Sequence, residues 1–164
     1  MTRVLVAGFG NVLRGDDGFG VEVVQRLQRT SALPAGVEVV EIGIAGIRLV
    51  QELLTGYDRL IVVDAVQRGA APGTLHVLAV DGVDGDPLID PHAATPERAI
   101  AMARAARVLP PEVFLVGCEP AAVDSLEAPL SAPVAAMLDA AIDSIQSLVT
   151  QPFAGVQTHG RRPS

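Results

Sequence analysis

Apolar residues follow two rhythms along this chain. Short apolar runs at residues 4–7, 60–63 and 113–116, with a more mixed one at 37–42, read as strands. Elsewhere the apolar positions recur at helical spacing. Phe19, Val23, Val24 and Leu27 make one face of a helix over 19–28, with Glu22, Gln25, Arg26 and Arg29 opposite. Residues 47–54 give a second helix, stopped at Gly56. Thr95 as N-cap, Pro96 as first helical residue and Glu97 in the first turn open a third, running to about residue 108. In the last helix Val134, Met137, Leu138, Ala141, Ile142, Ile145 and Leu148 share one face without a gap.

Strands that alternate with helices predict a parallel sheet covered on both faces. Residues 74–80 break the pattern, because only a seven-residue segment separates them from the third strand and a parallel crossover needs about a dozen residues. This fourth strand is expected to run antiparallel to the third. The fold class is therefore α/β: one three-layer domain over residues 1–150, with a mostly parallel five-stranded sheet, one antiparallel strand and helices on both faces. Residues 151–164 show no core-facing pattern and read as a mobile tail. The 164 residues suffice for one domain with a real core.

Composition narrows the function. The chain is 49% hydrophobic and 3% aromatic, so its core is expected to be built from small and branched aliphatic side chains. A net charge of −7 without a basic cluster in the body of the chain argues against nucleic acid as a partner. All 12 basic residues are arginines, which excludes a P-loop lysine, a Schiff base and a Ser-Lys dyad. Cys118 is the single cysteine, so no intramolecular disulfide is possible. The apolar run at the N-terminus is too short for a signal peptide or a membrane span. The expected setting is the cytoplasm, with no membrane partner.

In an open α/β sheet the functional crevice lies beyond the carboxyl ends of the parallel strands. Asp16 and Asp17 follow the first strand, Asp64 ends the third, and Cys118, Glu119 and Pro120 end the fifth. His92 lies in the loop before the third helix and reaches the same edge if the antiparallel strand returns the chain there. Two carboxylates and an imidazole converging on one point make a divalent metal site with positions left open. Asp17 alone reads equally well as a helix cap. Asp64, directly after a buried apolar strand, must be solvated, paired or coordinated, which favours function. Cys118 reads as a small buried hydrophobe, Ser131 as a helix cap, and His76 and His159 as structural. A dinucleotide site is the second reading of the glycine loop. Gly8 and Gly10 match the first two glycines of GxGxxG, but Leu13 takes the third place and two aspartates would oppose a pyrophosphate.

The stretch GFGNVLRGDDGFG at 8–20, VVDA at 62–65, PH at 91–92, VGCEP at 116–120 and LSAPV at 130–134 together resemble the hydrogenase maturation proteases. The resemblance covers residues 3 to about 148. It implies an endopeptidase that removes a C-terminal extension from the precursor of a nickel-iron hydrogenase large subunit once nickel is inserted. The implied metal contacts are Asp17, Asp64 and His92, with Asp16 as a supporting acid. The implied metal is nickel delivered within the precursor, or another divalent ion. Asp16 or Glu119 could then accept the proton of an attacking water. The chain departs from the Gly-Thr pair that many members carry after the second strand, reading Gly43, Ile44, Ala45, Gly46. A non-catalytic, nickel-dependent maturation chaperone would use the same three positions.

Overall fold

The computed structural model describes residues 2–30, 33–80, 95–121, 123 and 126–153. Its elements are β1 (Val4–Phe9), a 3-10 turn (Gly15–Gly18), α1 (Phe19–Thr30), β2 (Val37–Gly43), α2 (Ile47–Leu53), β3 (Arg59–Ala65), β4 (Leu75–Ala79), α3 (Pro96–Ala105), β5 (Glu112–Cys118), α4 (Ala132–Ala135) and α5 (Leu138–Thr150). One sheet runs in the order β2-β1-β3-β5-β4. β1 pairs in parallel with β2 and β3, β3 pairs in parallel with β5, and only β4 is antiparallel.

The two rhythms of the sequence become two cores. Along β1 and β3 successive side chains point to opposite faces. Val4, Val6, Ile61 and Val63 pack with α1 and α5, beside Phe19, Leu27 and Ile145. Leu5, Ala7, Phe9, Leu60 and Val62 pack on the other face with α2 and α3, beside Leu49, Leu53 and Ile100. Every residue of β1 is buried because helices cover both sides. The run Ala132–Thr150 is long and apolar enough to cross a membrane by length and composition. Its apolar residues Val134, Leu138, Ala141, Ile145 and Leu148 belong to the first core.

One local expectation holds with an added detail and two change. β4 does run opposite to β3, but β5 is inserted between them: Leu75 to Ala79 pair with Cys118 to Phe114. The segment after β3 therefore crosses the width of one strand rather than making a hairpin. It is fastened at both ends, Val66 N donating to Cys118 O (2.9 Å) and Gly73 N to Glu119 O (2.8 Å). The third helix ends at Ala105, short of residue 108, because Arg107 takes φ 59° and lets Val108 N donate back to Ala103 O (3.0 Å). The last helix is interrupted between α4 and α5, where Met137 N bonds to Val134 O (3.0 Å) and tightens one turn.

At the opposite end of the sheet from the loops described below, Arg59 opens β3 fully buried. Its guanidinium pairs with Glu112 on β5 and donates to the carbonyls of Leu148 and Gln151 (2.5 and 2.8 Å). It also stacks over Phe153, 4.3 Å from the ring centre, and over Phe114. Residues 151–153 are thus held to the domain, contrary to their reading as tail; residues 154–164 lie outside the described residues. Removing the partner of a buried ion pair costs about 3–5 kcal/mol, so Arg59→Met should lower the unfolding free energy by that amount in urea titration. A chain ending at residue 150 should likewise unfold at lower urea than one ending at residue 153. Equal midpoints for the two truncations would show that residues 151–153 contribute nothing to the clasp.

Candidate active site

The loop after β1 is shaped by backbone crowding. At Gly10, φ is 121°, and a methyl group there would lie 1.9 Å from the Asp17 carbonyl oxygen and 3.3 Å from Asp64 Oδ1. No side chain fits where the first strand leaves the sheet. Gly20, in the first turn of α1, would meet the carbonyl oxygens of Val63 and Phe9 at 2.2 and 2.5 Å. Gly8 stays within β1 and takes no turn; a methyl there would strike the Gly20 carbonyl oxygen at 2.6 Å. These glycines let α1 lie directly on β1 and β3.

The 3-10 turn then presents two adjacent aspartates in opposite ways. Asp16 is fully buried. Its carboxylate accepts hydrogen bonds from Ala121 N (2.8 Å), Ser131 N (2.7 Å) and Ser131 Oγ (2.8 Å). It ties the loop to the segments after β5 and before α4, and it does not line the cavity. Ser131 therefore spends its hydroxyl on Asp16 rather than on capping α4. Asp17 is half-buried, and its Oδ2 accepts from Asn11 N (3.1 Å), across the loop rather than at the start of α1.

Asp17 and Asp64 line one cavity of about 350 Å³ at the carboxyl edge of the parallel strands. Its walls also include Arg14, residues 65–67, Thr95, Glu97 and Pro120. Asp64 is 8% exposed and accepts from Ala65 N at 2.8 Å. Burial, then the nearby charge of Asp17, pushes its carboxyl well above the usual range, with Glu97 adding to the shift against the Ala65 hydrogen bond. Two hard oxygen donors that repel each other in a half-buried cavity are suited to a divalent cation, which would relieve that repulsion. Among the described residues no three His, Cys, Asp or Glu side chains gather closely enough to hold a metal by themselves. His92, the third residue of the sequence-based set, lies outside the described residues.

The other candidates are engaged elsewhere. Glu119 is 5% exposed and accepts from Arg68 N, Gly69 N and the His76 ring (3.0 to 3.1 Å). Burial alone would raise its pKa, but the Arg68, His76 and Gly69 contacts outweigh that and hold it below its usual value. Neither Glu119 nor Asp16 stands at the cavity wall, so neither is placed to take a proton there. Burial and the Asp16 and Glu119 charges push the Cys118 thiol up to about 11, leaving it protonated at neutral pH and unsuited as a nucleophile. Arg14 and Glu97 are wall residues that sequence reasoning passed over. Both stand at the ends of elements meeting the carboxyl edge, and that placement was the available signal. The anionic wall opposes the pyrophosphate of the dinucleotide reading.

The hydrogenase maturation protease family model matches residues 21–148. The chain belongs to this family. It is 33% identical to the hydrogenase 2 maturation protease of Escherichia coli, over 87% of this chain and 88% of that one. It is 38% identical to the hydrogenase expression/formation protein HupD of Rhodobacter capsulatus, over 85% of this chain and 68% of that one. Among solved structures, the hydrogenase maturating endopeptidase HybD of E. coli superposes with a TM-score of 0.76 at 29% identity, covering 90% and 92% of the two chains. A hydrogenase 2 maturation peptidase from a Thaumarchaeota archaeon superposes at 0.68 with 35% identity, covering 91% and 99%. The five-stranded α/β architecture is that of this family.

Two outcomes are expected. The raised Asp64 carboxyl means that the unfolded chain ionises first as pH rises, so stability is lost between the ordinary carboxylate range and the folded pKa. Asp64→Asn should therefore melt above the wild type at pH 7, and the advantage should vanish below the ordinary carboxylate range; an advantage independent of pH would sink this account. Gly10→Ala should destabilise by about 3 kcal/mol or more, because the added methyl meets backbone at a φ that L-residues rarely adopt. Thermal unfolding by circular dichroism checks both.

Proposed function

We propose that this chain is the endopeptidase that removes the C-terminal extension of a nickel-iron hydrogenase large-subunit precursor after nickel insertion. The observation that carries the reading is the meeting of Asp17 and Asp64 in one cavity, in a chain of the maturation protease family. Nickel belongs to the substrate. Held there by the precursor's own ligands, it would be met by the two carboxylates and by His92, so that binding depends on a loaded precursor. Burial and the Asp17 charge favour the neutral form of Asp64, and an approaching cation favours its ionised form.

The cation then serves as the recognition element, and the peptide next to it lies across the cavity walls. The cation would supply Lewis acidity there, making the scissile carbonyl a better electrophile or a water a better nucleophile. The chain's own part is to orient the peptide and exclude solvent with residues 65–67, Thr95 and Pro120. The reaction is placed in the cytoplasm, where nickel insertion would precede it. No lysine, serine or cysteine nucleophile is required.

Purified protein incubated with nickel-loaded and nickel-free precursor, followed on a gel, tests this directly. Shortening is expected only with nickel. Asp17→Ala, Asp64→Asn and His92→Ala should each lower the rate to below about a hundredth of wild type with unchanged circular dichroism. Cleavage that ignores nickel would overturn the recognition role. An intact product from a verified loaded precursor would favour a non-catalytic maturation chaperone using the same residues.

A further inference from the structure

The cavity wall formed by residues 65–67 runs from the last residue of β3 into the segment that crosses to β4. That segment has no regular hydrogen-bond ladder of its own, yet its course is fixed. Beyond the wall, Arg68 N and Gly69 N both point at the Glu119 carboxylate, at 3.0 and 3.1 Å. The same carboxylate meets His76 Nε2 at 3.1 Å, from the edge strand β4. Glu119 backbone groups close the frame, its N–H donating to Thr74 O and its carbonyl accepting from Gly73 N, both at 2.8 Å. One nearly buried side chain thus gathers the exit of β3, the start of β4 and the end of β5.

Glu119 is an expensive residue to bury unless its charge is used. Three donors use it, and two of them are amides of the segment that continues from the cavity wall. We propose that Glu119, steadied by His76, is a positioning residue: it fixes the 66–69 segment and through it the wall against which the scissile peptide is aligned. It does so without touching substrate, and it does not serve as the general base. The proposal rests on the proteolytic reading above.

Four variants and two readouts test it. Glutamine keeps an acceptor oxygen for the Arg68 and Gly69 amides and a polar partner for His76, whereas alanine removes both. Glu119→Gln should therefore retain cleavage within about threefold, while Glu119→Ala should lose roughly ten- to a hundredfold in kcat/KM, chiefly through KM. His76→Ala should lose less in the same direction, and His76→Gln should recover most of it. In parallel, amide hydrogen exchange at Arg68 and Gly69 should quicken by roughly tenfold in Glu119→Ala and stay near wild type in Glu119→Gln. Loss of activity in Glu119→Gln with protected amides would make Glu119 a base and overturn the proposal. Quickened exchange with unchanged kinetics would overturn it as well. If no precursor is cleaved by the wild type, the proteolytic reading fails, while the exchange data still decide whether the clamp exists.

Discussion

The arrangement depends on one close approach, the seating of α1 on β1 and β3 with nothing between their backbones. Gly8 and Gly20 make it possible, since any side chain at either would collide with the facing main chain. Because the helix begins so near the sheet, the loop joining it to β1 has nowhere to extend. It folds into the 3-10 turn, is pressed against Gly10, and carries Asp17 to the cavity lined by Asp64. The glycines that invite comparison with a phosphate loop are thus packing devices, and the cavity they shape is lined by two carboxylates.

Around that site the protein sorts its acids by what surrounds them. Asp16 and Glu119 are buried, but each collects at least three hydrogen-bond donors among the described residues, so their charge is satisfied and spent on holding loops together. Asp64 is buried, accepts only the Ala65 amide among the described residues and faces another carboxylate. Unsatisfied charge in a cavity is destabilising until a proton or a ligand of opposite sign neutralises it. That contrast separates the acids that build the framework from the pair proposed for chemistry.

Much of this was legible beforehand. Apolar runs and helical spacing locate each element within a few residues, and the carboxyl-edge rule brings Asp17 and Asp64 to one place. What escaped is nonlocal or belongs to the backbone. Residue pattern alone does not tell adjacent Asp16 and Asp17 apart; the resemblance separates them, and the physical reason is that the amides of Ala121 and Ser131 close over one of them. A short connector implies that β4 reverses but cannot say that β5, some thirty residues on, will take the place beside β3. The clasp at Arg59 uses carbonyl oxygens of residues 148–152, which no side-chain pattern reveals. Arg107 ends α3 in a left-handed conformation that glycine usually announces and arginine does not.

The insertion of β5 also orders events in time. β4 leaves the ribosome well before β5, yet every one of its ladder partners lies on β5. Until residues 112–118 arrive, that strand has an open edge on both sides, while β1, α1, β2 and β3 already possess the contacts needed to condense. Synthesis therefore delivers the half that carries both aspartates before the half that completes the wall around them. The chain for the floor of the site is made first, and the chain for its enclosure last.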